Sequence, residues 1–143
     1  MIVVVSNIPE PLFAFVHRRA EGRCEYCLMP EAYVSRHEPD HIIAIQHRGP
    51  TSAENLALAC FDCNRHKGPN LSSVDPETGR IVELFHPRAD YWKEHFRLDG
   101  PRIVGLTAKG RATVELLEFN TAHRLRIREE LQRVDRYPHA TSG

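Results

Sequence analysis

The sequence predicts an α+β protein: a β-hairpin closed by a short helix and stapled by four cysteines, with a helix ahead of it and a mixed strand and helix extension behind. Three observations carry this. The cysteines fall in two C-x-x-C pairs, Cys24/Cys27 and Cys60/Cys63. Between the pairs lie two short β-prone runs, one ending in Asp40-His41-Ile42-Ile43 and one spanning Asn55-Leu56-Ala57-Leu58-Ala59. After the second pair, Phe61 to Lys67 reads as one or two helical turns stopped by Gly68-Pro69.

The length of 143 residues fits one domain, a compact core with an appendage. We expect residues 1–70 to form that core with its N-terminal helix, and residues 71–143 an extension packed on it. A hydrophobic content of 41% with 27% charged residues is ordinary for a globular chain. No run approaches the ~20 apolar residues of a membrane span. The apolar start Met1-Ile2-Val3-Val4-Val5 lacks the basic lead and cleavage site of an export signal, so the expected location is cytoplasmic. Lys+Arg and Asp+Glu both number 19, which removes a strongly basic surface as an argument for nucleic-acid binding. A local positive groove and bound cations remain compatible with that balance.

In a reducing compartment, paired C-x-x-C motifs bind metal or do redox work. Two pairs favour one four-cysteine zinc site, and their separation exceeds the ~15–20 residues of common zinc ribbons, so the intervening chain carries structure of its own. A dithiol redox centre is the alternative reading of the same residues.

Taken in order, residues 2–5 read as a short strand. Asn7 and Pro9 signal a helix start, and Leu12, Phe13, Phe15, Val16 and Ala20 supply its apolar face up to Gly22. His17, Arg18 and Arg19 read as its solvated side. Ala32-Tyr33-Val34 reads as the start of a strand running towards Asp40, with Pro39 marking an edge or bend. Residues 46–52 read as a loop. Beyond Asn70, Asp75 to Gly79 is a turn, and Ile81 to Phe85 and Arg102 to Leu106 are strands. Tyr91, Trp92 and Phe96 form an aromatic cluster. Thr107 caps a helix to about Phe119 with Ala112, Leu116 and Phe119 inward. A last helix, Thr121 to Val134, turns Leu125, Leu131 and Val134 inward, and residues 139–143 form a loose tail.

The residues between the cysteine pairs suit phosphodiester hydrolysis, which needs an activated water and charge neutralisation at phosphate. An imidazole, with an unperturbed pKa near 6.5, can take a proton from water at neutral pH, and His41 offers one. Asp40 beside it offers a hard oxygen ligand for Mg2+. At ~100° per residue, if Asn64 faces that site then His66 faces away and Lys67 shares the active side. Lys67 then reads either as a phosphate contact or as a solvated lysine. Glu38, His37 and His47 are weaker choices for metal or substrate contact.

Cys24, Cys27, Asp40, His41, Ile42, Ile43, Gly49, Glu54, Asn55, Leu56, Leu58, Cys60, Cys63, Asn64, Lys67 and Gly68 occur in the order that resembles the HNH endonuclease family, over residues 22–69. The resemblance implies a ββα-metal, or His-Me finger, core: the same hairpin and helix. It implies an endonuclease hydrolysing DNA, with RNA the lesser choice, and products carrying 5′-phosphate and 3′-hydroxyl ends. His41 would be the general base, and Asp40 and Asn64 the ligands of a single catalytic Mg2+ or Mn2+. Asn55 would fix the loop bearing the base, and the four cysteines would hold structural Zn2+. Ala44 stands where the family often has proline, Pro50 where it often has a second glycine, and Pro39 precedes Asp40. A non-catalytic zinc-stapled module that binds nucleic acid or protein is the rival reading. Arg124, Arg126 and Arg128 read as a solvated face or as phosphate contacts, and Trp92 with its neighbours as a small satellite core or a base-stacking surface.

Overall fold

The computed structural model describes residues 8–138, so the strand expected at residues 2–5 and the tail at 139–143 lie outside the described residues. Helix α1 (Glu10–Arg19) follows Pro9 and has a proline in its first turn, where the missing N–H costs no intrahelical bond. Its last turn closes on Gly22, whose φ of 69° suits glycine, with Gly22 N–H donating to His17 O. Val16 is buried and meets Leu56 and Leu58, which places α1 on the hairpin. The Arg19 guanidinium reaches further, donating to the carbonyls of Ala53 and Leu56 at 2.9 and 2.6 Å.

The hairpin is β1 (Glu38–His41) antiparallel to β2 (Leu56–Ala59), with Asp40 opposite Ala57 and His41 opposite Leu56. All four β2 residues are buried, which explains why Leu-Ala-Leu-Ala shows no polar alternation. Helix α2 (Phe61–Lys67) follows at once, with the Cys60 sulfur as its N-terminal cap, accepting from Cys63 N–H. Pro39 sits in β1 of a two-stranded sheet, where both strands are edges and a missing donor is tolerated.

Residues beyond α2 add two further antiparallel pairs, β3 (Ser72–Val74) with β4 (Ile81–Glu83) and β5 (Phe96–Asp99) with β6 (Arg102–Gly105). Around them lie α3 (Trp92–His95), α4 (Ala108–Leu116) and α5 (Ala122–Arg133). Thr107 caps α4 as expected, its hydroxyl accepting from Gly110 N–H. A Cβ on Gly110 would lie 2.1 Å from the His95 carbonyl oxygen, so only glycine lets α4 approach α3 this closely. One apolar cluster joins the four cysteines, Tyr26 and Ile42 to Phe85, Phe96, Ile103, Leu117, Phe119 and Leu131. The extension and the cysteine site therefore share a core.

Three local expectations are corrected. Ala32-Tyr33-Val34 is no strand: Glu31–Tyr33 is an exposed 3-10 turn. Glu31 explains it, because its N–H bonds back to Gly22 O and its carboxylate accepts from His37 N–H and meets the His17 ring. The aromatic cluster includes Trp92 and Phe96, 5.1 Å apart, together with Phe85 and Phe119, but Tyr91 is 73% exposed. In α5, Val134 is exposed, and the buried positions are Arg124, Arg128 and Leu131, with Leu125 half-buried. Two arginines face inward because they satisfy carbonyls beside the ends of neighbouring elements: Arg124 those of Leu117 and Glu118, Arg128 those of Pro101 and Phe119. Among the described residues no helix is long and apolar enough to cross a membrane.

Candidate metal centre and active-site groove

Cys24, Cys27, Cys60 and Cys63 are buried, and their sulfurs lie within 4.8 Å of one another. A tetrahedral zinc with ~2.3 Å bonds to sulfur needs sulfur–sulfur edges of ~3.8 Å. The Cys27–Cys60 edge is 3.7 Å. Each C-x-x-C is a tight turn that aims both sulfurs one way: Cys27 N–H points at Cys24 Sγ and Cys63 N–H at Cys60 Sγ, each at 3.4 Å. Burial pushes the Cys24 and Cys63 thiols well up, while hydrogen bonds from Cys24, Cys60 and Cys63 hold Cys27 well down. The four residues could hold one zinc ion, which would keep all four as thiolates.

Asn55 organises the loop that follows β1. Its Oδ1 accepts from Ile43 N–H, and its Nδ2 donates to the carbonyls of Ile43 and Pro50 at 2.9 and 2.8 Å. One side chain thus closes both ends of the loop after His41. Gly49 makes the closure sterically feasible, since a Cβ there would lie 1.7 Å from Ile43 O and 2.8 Å from Asn55 Nδ2. Pro50 at the next position supplies an acceptor that needs no second glycine. The His41 ring is held from the far side of the same loop, its Nε2 2.9 Å from Thr51 Oγ1.

Asp40 is buried on the hairpin and bonded through one oxygen. Tyr26 donates to Oδ2 at 2.9 Å, and the Lys67 ammonium lies 3.1 Å from the same atom. Burial pushes the Asp40 carboxyl above the ordinary range, against the opposing pull of Lys67 and Tyr26. Burial and then the Asp40 charge push the Tyr26 hydroxyl well up, so it keeps the proton that it donates. Among the described residues, no hydrogen bond reaches Asp40 Oδ1. Asp40, His41 and Asn64 line one open groove of ≈ 320 Å³, with Ala44, Ile45 and Gln46 on its rim.

Residues 24–70 match the HNH endonuclease family. The HNH segment thus covers both cysteine pairs, the hairpin and α2, and the mixed α+β arrangement with its four-cysteine cluster is consistent with the fold of that family. The match supports a nuclease-type or nucleic-acid-related function. No curated protein and no solved structure matches the chain.

Within the HNH segment, Lys67 is 2% exposed, and its ammonium is engaged by Asp40 and by the carbonyls of His41 and Ile42 at 3.3 and 3.1 Å, so it braces the hairpin and is no solvated lysine. His37 is removed from substrate: it is fully buried, with Nε2 2.7 Å from Met29 O. His47 and Glu38 are exposed. His66 turns away from the groove towards Glu118 at 3.3 Å, as the angle between positions 64 and 66 requires. Neither solvation nor phosphate contact describes Arg124 and Arg128, which are buried; Arg126 is exposed.

Sequence reasoning missed the contacts of Tyr26 with Asp40, of Thr51 with His41 and of Arg124 with Cys63. Tyr26 stands inside the first C-x-x-C, where a large aromatic must point into the core or into solvent, and that position was the available signal. Thr51 and Arg124 depend on loop closure and on the packing of α5, which no spacing announces.

Proposed function

We propose that this protein is a metal-dependent endonuclease that hydrolyses phosphodiester bonds in DNA, with a single catalytic Mg2+ or Mn2+. The observation that carries the reading is the groove in which His41, Asp40 and Asn64 meet within the HNH segment. His41 acts as general base. In the tautomer whose Nε2–H donates to Thr51 Oγ1, Nδ1 is the nitrogen that takes a proton from water. Asp40 and Asn64 supply oxygen ligands, a donor set that suits a hard cation. Tyr26 and Lys67 occupy Asp40 Oδ2, which leaves Oδ1 for that role. The bound cation would neutralise charge developing on the phosphate and the leaving oxygen. Asn55 positions His41 by fixing the loop between Ile43 and Pro50. Zinc on the four cysteines is structural, since their burial leaves no open coordination position. Reduced cysteines serving as ligands fit a cytoplasmic location.

The rival, a non-catalytic zinc-stapled binding module, draws on the Asp40–Lys67 pair, in which the carboxylate ties the hairpin to α2. Incubation of the full chain with supercoiled plasmid, duplex and single-stranded DNA, and RNA separates the two. Cleavage that needs Mg2+ or Mn2+ and stops with chelator is expected. Binding without cleavage under every combination supports the rival.

A further inference from the structure

Residues beyond the HNH segment reach the cysteine site at several points. Arg124 sits in the first turn of α5, its N–H capped by Thr121 Oγ1. Arg124 is 6% exposed, and its guanidinium spans two sets of acceptors. Nη1 donates to the carbonyls of Leu117 and Glu118 at the end of α4, at 2.7 and 3.0 Å. Nη2 donates to Cys63 Sγ at 3.0 Å and lies 3.8 Å from Cys60 Sγ. The only carboxylate near it among the described residues is Asp62, 3.9 Å from Nε and itself 44% exposed. The first cysteine pair is pinned by the same region: Tyr137 donates to Cys27 O at 2.7 Å, and Trp92 Nε1 to Tyr26 O at 2.8 Å.

A zinc ion with four thiolates carries a net charge of about −2 in a buried site. A guanidinium at 3.0 Å from one sulfur compensates part of that charge and withdraws density from the sulfurs it touches. Facing neutral thiols instead, the same guanidinium would be a buried cation with little to balance it. We infer that the C-terminal extension is a metal-retention clamp, in which Arg124 supplies fixed positive charge to the Cys60/Cys63 thiolates so that zinc loading and docking of α5 reinforce each other. By linkage the effect runs both ways: α5 slows zinc loss, and zinc loss loosens α5. The inference rests on the zinc reading and is independent of whether the groove cuts DNA.

The test is zinc transfer from the full chain to a chromogenic chelator, after elemental analysis has fixed the zinc content. Loss of an outer-shell partner typically weakens metal retention ~10–100-fold, and the Arg124→Met variant should release zinc faster by a factor in that range. Arg124→Lys keeps the charge without the fork and should fall between. A folded Arg124→Met that releases zinc at the wild-type rate overturns the clamp. If Arg124→Met does not fold, hydrogen exchange on the wild-type chain decides: stripping zinc should deprotect the amides of residues 122–133, and unchanged protection there overturns the clamp. A chain that binds no zinc at all fails the zinc reading itself, and the clamp with it.

Discussion

Tyr26 donates to Asp40 Oδ2 across 2.9 Å, joining the residue between Cys24 and Cys27 to the carboxylate at the head of the groove. The second partner of that oxygen, Lys67, stands four residues after Cys63 on α2. Both cysteine pairs thus carry a group that holds Asp40. A staple that looks merely structural therefore also sets where a groove carboxylate lies.

Tyr26→Phe should separate this link from the staple. Losing a buried hydrogen bond to a charged acceptor costs about 1.5–3 kcal/mol. The expected result is a lower melting temperature with unchanged zinc content, and cleavage that needs more Mn2+ for half-maximal rate. Unchanged Mn2+ dependence in a chain that still cuts would show that the hydroxyl does not set the groove carboxylate.

Lys67→Met tests the bracing role of that lysine. Removing one partner of a buried pair destabilises by about 3–5 kcal/mol, and here it also strips donors from the carbonyls of His41 and Ile42. A phosphate contact would behave differently, with intact stability and weaker DNA binding. Chemical denaturation together with a DNA titration distinguishes them, and a melting curve matching wild type would return Lys67 to the substrate side.

At Gly49, alanine would drive Cβ into the Ile43 carbonyl, so the loop must open. Over-packing of this kind typically costs about 1–3 kcal/mol, more where backbone cannot shift. Gly49→Ala and Asn55→Ala should lose cleavage to a similar extent, because both disrupt the same closure. Full activity in Gly49→Ala would mean that the loop does not position His41.

Most of the hairpin, α2 and the cysteine site was legible in the sequence, because glycine, proline, cysteine and a buried Leu-Ala-Leu-Ala run constrain the chain locally. Asn55 was singled out through the resemblance alone, and its hydrogen bonds to Ile43 and Pro50 close the loop after His41. The extension was legible in its elements but not in its faces. Arg124 and Arg128 look like a solvated stripe by residue type, yet carbonyls at the ends of neighbouring elements draw them inward. Glu31 likewise folds Glu31–Tyr33 into a turn through contacts with His17 and His37 that are distant in sequence or ambiguous in type.

The extension has its own acid-sensitive anchor. Asp75, fully buried, accepts two hydrogen bonds from Arg111, each 2.9 Å, and these hold its carboxyl well below the ordinary range, against the effect of burial. A depressed carboxyl adds stability above the unfolded value of about 3.9 and loses it as pH falls below that value towards the folded one. Asp75→Asn should therefore melt earlier than wild type at pH 7, and the gap should narrow in acid below about pH 4. A gap of constant size across that range would contradict the assignment.

In the proposed function, His41 removes a proton from water in a groove built by the hairpin and α2. His41→Ala should keep zinc content, melting temperature and DNA binding near those of wild type, because the ring is half-buried and its side chain meets only Thr51 among the hydrogen bonds of the described residues. General-base catalysis contributes about 10²–10⁴-fold, so the rate of plasmid nicking with Mg2+ or Mn2+ should fall by that factor. Wild-type nicking by a folded, zinc-loaded His41→Ala protein would contradict the account.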